Sequence, residues 1–255
     1  MPQPSVPKLF VHGNPETSSV WAPLVDALAA RGVSDVERLS PPGFGSPVPD
    51  GFACTQPDYR DWLIGVLADR IAAYGEPVDL VGHDWGAGHV YAAVAARPDL
   101  VRSWAADCAG LVHPDYAWHD AAQLWQTPEA GEQIAAAMVG LPPDAVAAWG
   151  VPAALAPSLS AGIDATMTAA MLALYRSAAQ PVLRRLGAEL LAGERRPALV
   201  IDAADDPYVP SHLSRQVAES LGAAVVTLDG AAHWWMWEAT DRAADALVAF
   251  WSTRG

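Results

Sequence analysis

The heptapeptide Gly82-His83-Asp84-Trp85-Gly86-Ala87-Gly88 directly follows the apolar run Val78 to Val81 and sets a carboxylate at the centre of a G-x-D-x-G turn. Such a turn is a sharp strand-to-helix elbow whose glycines let the backbone crowd together and push the central side chain out above the sheet. A carboxylate there attacks carbon directly, with no base needed to deprotonate it first, and is left as an ester. An acyl group would instead give an anhydride, a poor stable intermediate, so aspartate favours alkyl transfer. Breaking the ester requires a base that activates water and an acid that orients the base. His233, in Gly230-Ala231-Ala232-His233 after the apolar run Val225 to Leu228, suits the base. His113, His119 and His212 are read as satisfied surface or core residues. The acid is expected after the run Ala198 to Asp202, where Asp202, Asp205 and Asp206 compete and Asp202 ends the strand.

These groups must be held by a core of some size. The chain has 255 residues, 52% hydrophobic and 17% charged, which fits one globular domain with an inserted subdomain. With 15 Lys+Arg against 29 Asp+Glu the formal charge is −14, and no basic stripe tracks phosphates, so nucleic acid and anionic membrane are poor partners. Cys54 and Cys108 lack metal-ligand spacing and suit a reduced compartment. Met1 to Pro7 has no leader pattern and no later segment reads as a membrane span, so a cytoplasmic location is expected. Neither a metal cluster nor a phosphate loop is legible, and no cofactor is expected.

Short apolar runs alternate with longer alanine-rich amphipathic stretches, the pattern of parallel strands joined by helices. Strands are expected at Leu9 to Val11, Asp35 to Leu39, Val78 to Val81, Val101 to Asp107, Ala198 to Asp202 and Val225 to Leu228. Helices are expected over Val20 to Arg31, Gln56 to Tyr74 with Gly75 as its stop, Gly86 to Arg97 and Asp241 to Trp251. Leu111 to Arg196 has helical pattern without a convincing strand and reads as a cap inserted where loops can grow. The expected division is a core of residues 1–110 and 197–255 with a helical cap over 111–196.

His12-Gly13-Asn14-Pro15, the elbow, Asp206-Pro207 and His233-Trp234 together resemble the alpha/beta-hydrolase family, and the GHDWG elbow resembles its epoxide hydrolase and haloalkane dehalogenase branch. The resemblance covers nearly the whole chain in the order nucleophile, acid, histidine. It implies an α/β fold, a mostly parallel sheet flanked by helices, and a triad of Asp84, His233 and Asp206, with Asp205 as the substitute acid. It also implies an oxyanion site at the N–H groups of Trp85 and Asn14, with a cis peptide before Pro15. Only about eight residues precede the first strand, so the sheet is expected to lack the family's leading strands, leaving Asp35 to Leu39 exposed or capped in a homodimer.

Leu174-Tyr175-Arg176-Ser177 resembles the cap segment whose tyrosine donates to an epoxide oxygen, which makes Tyr175 the donor candidate. The segment resembling the family's second cap tyrosine carries Leu124-Trp125 instead, and Tyr116 is the candidate replacement. The loop from His12 to Ser19 resembles haloalkane dehalogenases, where the Asn14 amide and the Trp85 indole would hold halide with Trp125 helping. Tyr116, Trp125 and Trp234 are expected to line an apolar pocket for a small hydrophobic substrate. Epoxide hydrolysis is the favoured expectation and dehalogenation the alternative. A binding protein of this fold without turnover is the reading from another class.

Overall fold

In the computed structural model, residues 6–253 are described, and most of the Met1 to Pro7 segment read for a leader lies outside them. Six strands alternate with helices: β1 (Lys8–Val11), α1 (Ala22–Ala30), β2 (Val36–Leu39), α2 (Gln56–Tyr74), β3 (Val78–Gly82), α3 (Trp85–Ala96) and β4 (Val101–Ala106). Six further helices follow before the sheet resumes: α4 (Asp120–Gln126), α5 (Ala130–Met138), α6 (Pro143–Ala147), α7 (Ala156–Gly162), α8 (Ala165–Ser177) and α9 (Val182–Ala192). The chain closes with β5 (Ala198–Ala203), α10 (Ser211–Leu221), β6 (Ala224–Leu228), α11 (Trp235–Glu238) and α12 (Thr240–Ser252).

The strands form one parallel sheet in the order β2-β1-β3-β4-β5-β6. Central β3 and β5 are buried along their whole length, as strands covered on both faces by crossover helices must be. The edges behave differently. β2 is largely half-buried or exposed, so the strand expected at a trimmed edge lies at that edge, where the Arg70 guanidinium of α2 grips Glu37. β6 forms the opposite, partly exposed margin.

Local chemistry explains the elements that bracket the site. Helix α2 begins at a reciprocal cap in which Thr55 Oγ1 accepts from Asp58 N and Asp58 Oδ2 accepts from Thr55 N, and Gly75 ends it. Helix α1 starts later than Val20, because Ser18–Trp21 forms a tighter 3₁₀ turn leading into Pro23. The other expected boundaries hold to within two residues. Among the described residues no strand occurs between β4 and β5, and no helix is long and apolar enough to cross a membrane.

Candidate active site

The elbow between β3 and α3 holds Asp84 at φ 53°, a left-handed backbone that costs an L-residue on the order of 1–3 kcal/mol. Crowding enforces it. A Cβ on Gly86 would lie 2.0 Å from the Val11 carbonyl oxygen, and one on Gly13 would lie 2.2 Å from Asp84 Oδ1, so only glycine lets β1, its loop and the elbow meet. The Asn14-Pro15 peptide is cis, as the loop resemblance implies. Asn14 N donates to Asp84 Oδ1 at 2.9 Å, and the Trp85 N–H also bonds the Asp84 carboxylate. Two backbone donors therefore meet the Asp84 carboxylate, where charge would develop if that carboxyl became an ester and water attacked it.

His233 lies on the loop between β6 and α11. Its Nε2 is 3.7 Å from Asp84 Oδ2, and its Nδ1 donates to Asp206 Oδ2 at 2.9 Å. Asp206 is fixed in turn by Tyr208 N, which donates to Oδ1 at 2.8 Å. Asp205 is exposed, whereas Asp202 is buried in an ion pair with Arg215, so Asp206 alone of the three acids reaches His233. Burial pushes the Asp84 carboxyl up to about 6 against the pull of His233. Burial opposes charge on His233 as well, but the carboxylates of Asp206 and Asp84 outweigh it and raise its pKa, while Asp206 is lowered by His233.

Beneath these groups lies a second cluster. His83 Nδ1 donates to Asp107 Oδ2 at 2.5 Å and Nε2 donates to Glu16 Oε1 at 3.2 Å, all three residues being buried. The two carboxylates overcome desolvation and hold His83 well above its usual pKa, and the His83 charge holds Glu16 down at about 2. The same carboxylates reach the three site loops. Glu16 accepts from Gly13 N at 3.0 Å and from Trp234 Nε1 at 2.7 Å; Asp107 accepts from Asp84 N at 2.9 Å and from Trp235 Nε1 at 2.5 Å. His83 thus turns to Asp107 and Glu16 rather than to the pocket, a role that was not legible in the sequence. A glutamate one residue after the HG-x-P turn was the available signal.

A cavity of about 310 Å³ opens above Asp84 and His233. Trp125 and Trp234, read as pocket residues, line it, and so do Asn14 and Tyr175, together with Leu124, Ile134, Met138, Trp149, Tyr208 and His119. Two expectations are corrected. Tyr116 is buried and does not line the cavity, because its ring packs edge-on to Trp118 and its hydroxyl donates to the Tyr208 carbonyl at 3.4 Å. His119 is not an idle histidine but part of the cavity wall. Trp85 contributes its backbone N–H to Asp84, while its ring stands edge-on to Tyr175 at 5.2 Å. Tyr175, in the last turn of α8, has its phenol beside the Trp85 indole and the Asn14 amide, which favour its ionised form, although burial and Asp84 keep its pKa well above 10.

Cys108, Asp206 and His233 bring three potential metal ligands within 4.8 Å of one another. Hydrogen bonds account for them. The Cys108 thiol, held protonated by burial, points at Asp206 Oδ2 at 3.8 Å, and His233 shares that oxygen. Both cysteines are buried and free.

A family model described as the alpha/beta hydrolase family matches residues 9–248. A curated epoxide hydrolase from Caballeronia sordidicola is 35% identical over 97 residues, covering 37% of this chain and 28% of that relative. The match thus spans little more than a quarter of the relative's length. Among solved structures, an enol-lactonase from Burkholderia xenovorans is similar with a TM-score of 0.72 at 20% identity, covering 99% of this chain and 94% of its own. A haloalkane dehalogenase loop variant from Bradyrhizobium elkanii is similar with a TM-score of 0.69 at 19% identity, covering 98% of this chain and 91% of its own. At these identities the likeness is one of fold.

Proposed function

The chain belongs to the alpha/beta hydrolase family, and from that premise we propose that it opens hydrophobic epoxides to vicinal diols through an ester on Asp84. The observation that carries this reading is the Tyr175 phenol in one apolar cavity with Asp84 and His233. Asp84 Oδ2 attacks an epoxide carbon as the C–O bond breaks, and Tyr175 gives its proton to the leaving oxygen. His233 Nε2 then takes a proton from water, whose oxygen adds to the Asp84 carboxyl carbon while the Asn14 N–H, seated on Oδ1, and the Trp85 N–H stabilise the developing charge. Collapse releases the alkoxide, which His233 protonates, and the proton left on Asp84 restores the phenol. Esterification removes one of the two negative charges that raise the His233 pKa, Asp206 keeping the larger one, and so shifts the base toward its neutral form.

Dehalogenation is the second reading. Among the described residues the Asn14 amide and the Trp125 indole N–H have no hydrogen-bond partner, as unfilled halide donors would. Both are buried, however, and Tyr175 stands against the Asn14 amide, which favours the epoxide.

Intact-mass analysis of the His233→Ala variant decides between them. An Asp84-dependent gain equal to the whole epoxide mass supports the proposal. A gain equal to a bromoalkane less hydrogen bromide, with none from epoxides, overturns it in favour of dehalogenation, and no gain from either leaves a binding protein. A pH profile adds an independent check. Because attack needs the Asp84 carboxylate, kcat/KM should fall about tenfold per pH unit below about 6. A profile flat down to pH 4 would mean that the nucleophile is not this carboxyl.

A further inference from the structure

We propose that His119 is the specificity-determining donor of the cavity and that the substrate is an aryl epoxide carrying a hydrogen-bond acceptor on the side of its ring remote from the oxirane. This rests on the epoxide reading and extends it to the far end of the substrate. His119 is the N-cap of α4, and its Nδ1 accepts from Ala122 N at 3.3 Å, so that nitrogen carries no proton. Burial, reinforced by the charge of His233, lowers its pKa to about 4. At neutral pH the ring is therefore uncharged, with its single proton on Nε2, and the cap fixes the tautomer. Among the described residues no acceptor meets that N–H.

Its position defines what it would meet. Trp125 stands between the cap histidine and the reacting end, its ring centre 5.8 Å from that of His119 and 4.8 Å from that of Tyr175. Tyr208 does the same on the other side, 5.0 Å from His119 and 4.8 Å from His233. An arene seated among these aromatic side chains with its oxirane at Asp84 would direct its distal substituent toward His119. The neighbouring wall is apolar, made by Leu124, Ile134, Met138 and the Trp149 ring, and the unpartnered Trp125 N–H is buried. A site that offers an open donor in an apolar wall discriminates against ligands that leave it unpaired.

The test compares 4-acetylstyrene oxide with its apolar isostere 4-isopropylstyrene oxide in the wild type and in His119→Ser, whose hydroxyl still caps the helix. His119→Thr serves the same purpose should the serine variant fail to fold. The expected result is a loss in kcat/KM about five- to tenfold greater for the acetyl compound than for the isopropyl compound. Because each substrate is compared with itself, the electronic effect of the substituent cancels. Equal changes for both would overturn the role of His119 while leaving epoxide hydrolysis intact. Failure of the wild type to open either oxide, with no Asp84 ester trapped in His233→Ala, would overturn the underlying reading and the inference with it.

Discussion

The Asp84→Ala protein is expected to lose turnover by about 10⁴-fold or more, the scale seen when a nucleophile that acts as one unit with its base is removed. The same substitution should stabilise the fold. The Asp84 carboxyl is shifted from 3.8 to about 6 chiefly by burial, and its side chain keeps only 14% exposure. A carboxyl whose pKa is raised on folding destabilises the native state when ionised. The cost is absent below about 4 and fully present above about 6. At one pH unit per ~1.4 kcal/mol, the variant should gain up to about 3 kcal/mol at pH 8 and nothing at pH 4, as read from urea unfolding at both values. An Asp84→Ala protein that is inactive yet less stable at pH 8 would mean that the carboxylate helps to hold the elbow rather than straining it.

The second large effect concerns Asp107. Its carboxylate accepts at once from His83, from the Asp84 backbone N–H and from the Trp235 indole, and its carbonyl accepts from the Tyr91 hydroxyl. Asp107→Ala leaves a buried imidazolium with one carboxylate instead of two and orphans two further donors. Breaking such a buried pair costs about 3–5 kcal/mol, to be read as a lower urea midpoint with unchanged slope. A loss below about 1 kcal/mol would show that the loops are held by their own packing. Acid should act on the same cluster through Glu16, whose depressed pKa contributes stability that is present above about 4.5 and lost as pH falls toward 2.

The sheet and the meeting of Asp84, His233 and Asp206 were legible because each has a local signature. Gln56 to Tyr74 carried its cap at Thr55 and Asp58 and its stop at Gly75, and the elbow carried glycines that nothing else can replace. Asp206 was separable from Asp205 by the resemblance at its proline, and its hydrogen bond to His233 agrees. The buried cluster had no such mark. Glu16, His83 and Asp107 are 67 and 24 residues apart in their contacts and meet only once β1, β3 and β4 lie side by side. Tyr116 and His119 were misread for a related reason. They are three residues apart in a segment leading into α4, and whether a side chain faces the cavity or the layer behind it depends on the path of that segment, which carries no periodicity.

The six helices between β4 and β5, of which α4, α5 and α8 line the cavity, leave the sheet after Ala106 and return to it at Ala198, and those two strands are hydrogen-bonded neighbours, with Trp104 opposite Ala198. Exit and return are therefore one strand spacing, about 5 Å, apart across the sheet and about 7 Å apart along it. The cavity-lining helices α4, α5 and α8 are therefore expected to behave as a cassette, while α9, packed on α3, stays with the sheet. Exchanging them should leave the elbow, Asp206 and His233 in place, since each of these follows its own strand. In a lineage built this way, diet can change while the digestive chemistry stays put, and in the laboratory a library confined to this one stretch would explore new substrates with the cutting edge left untouched.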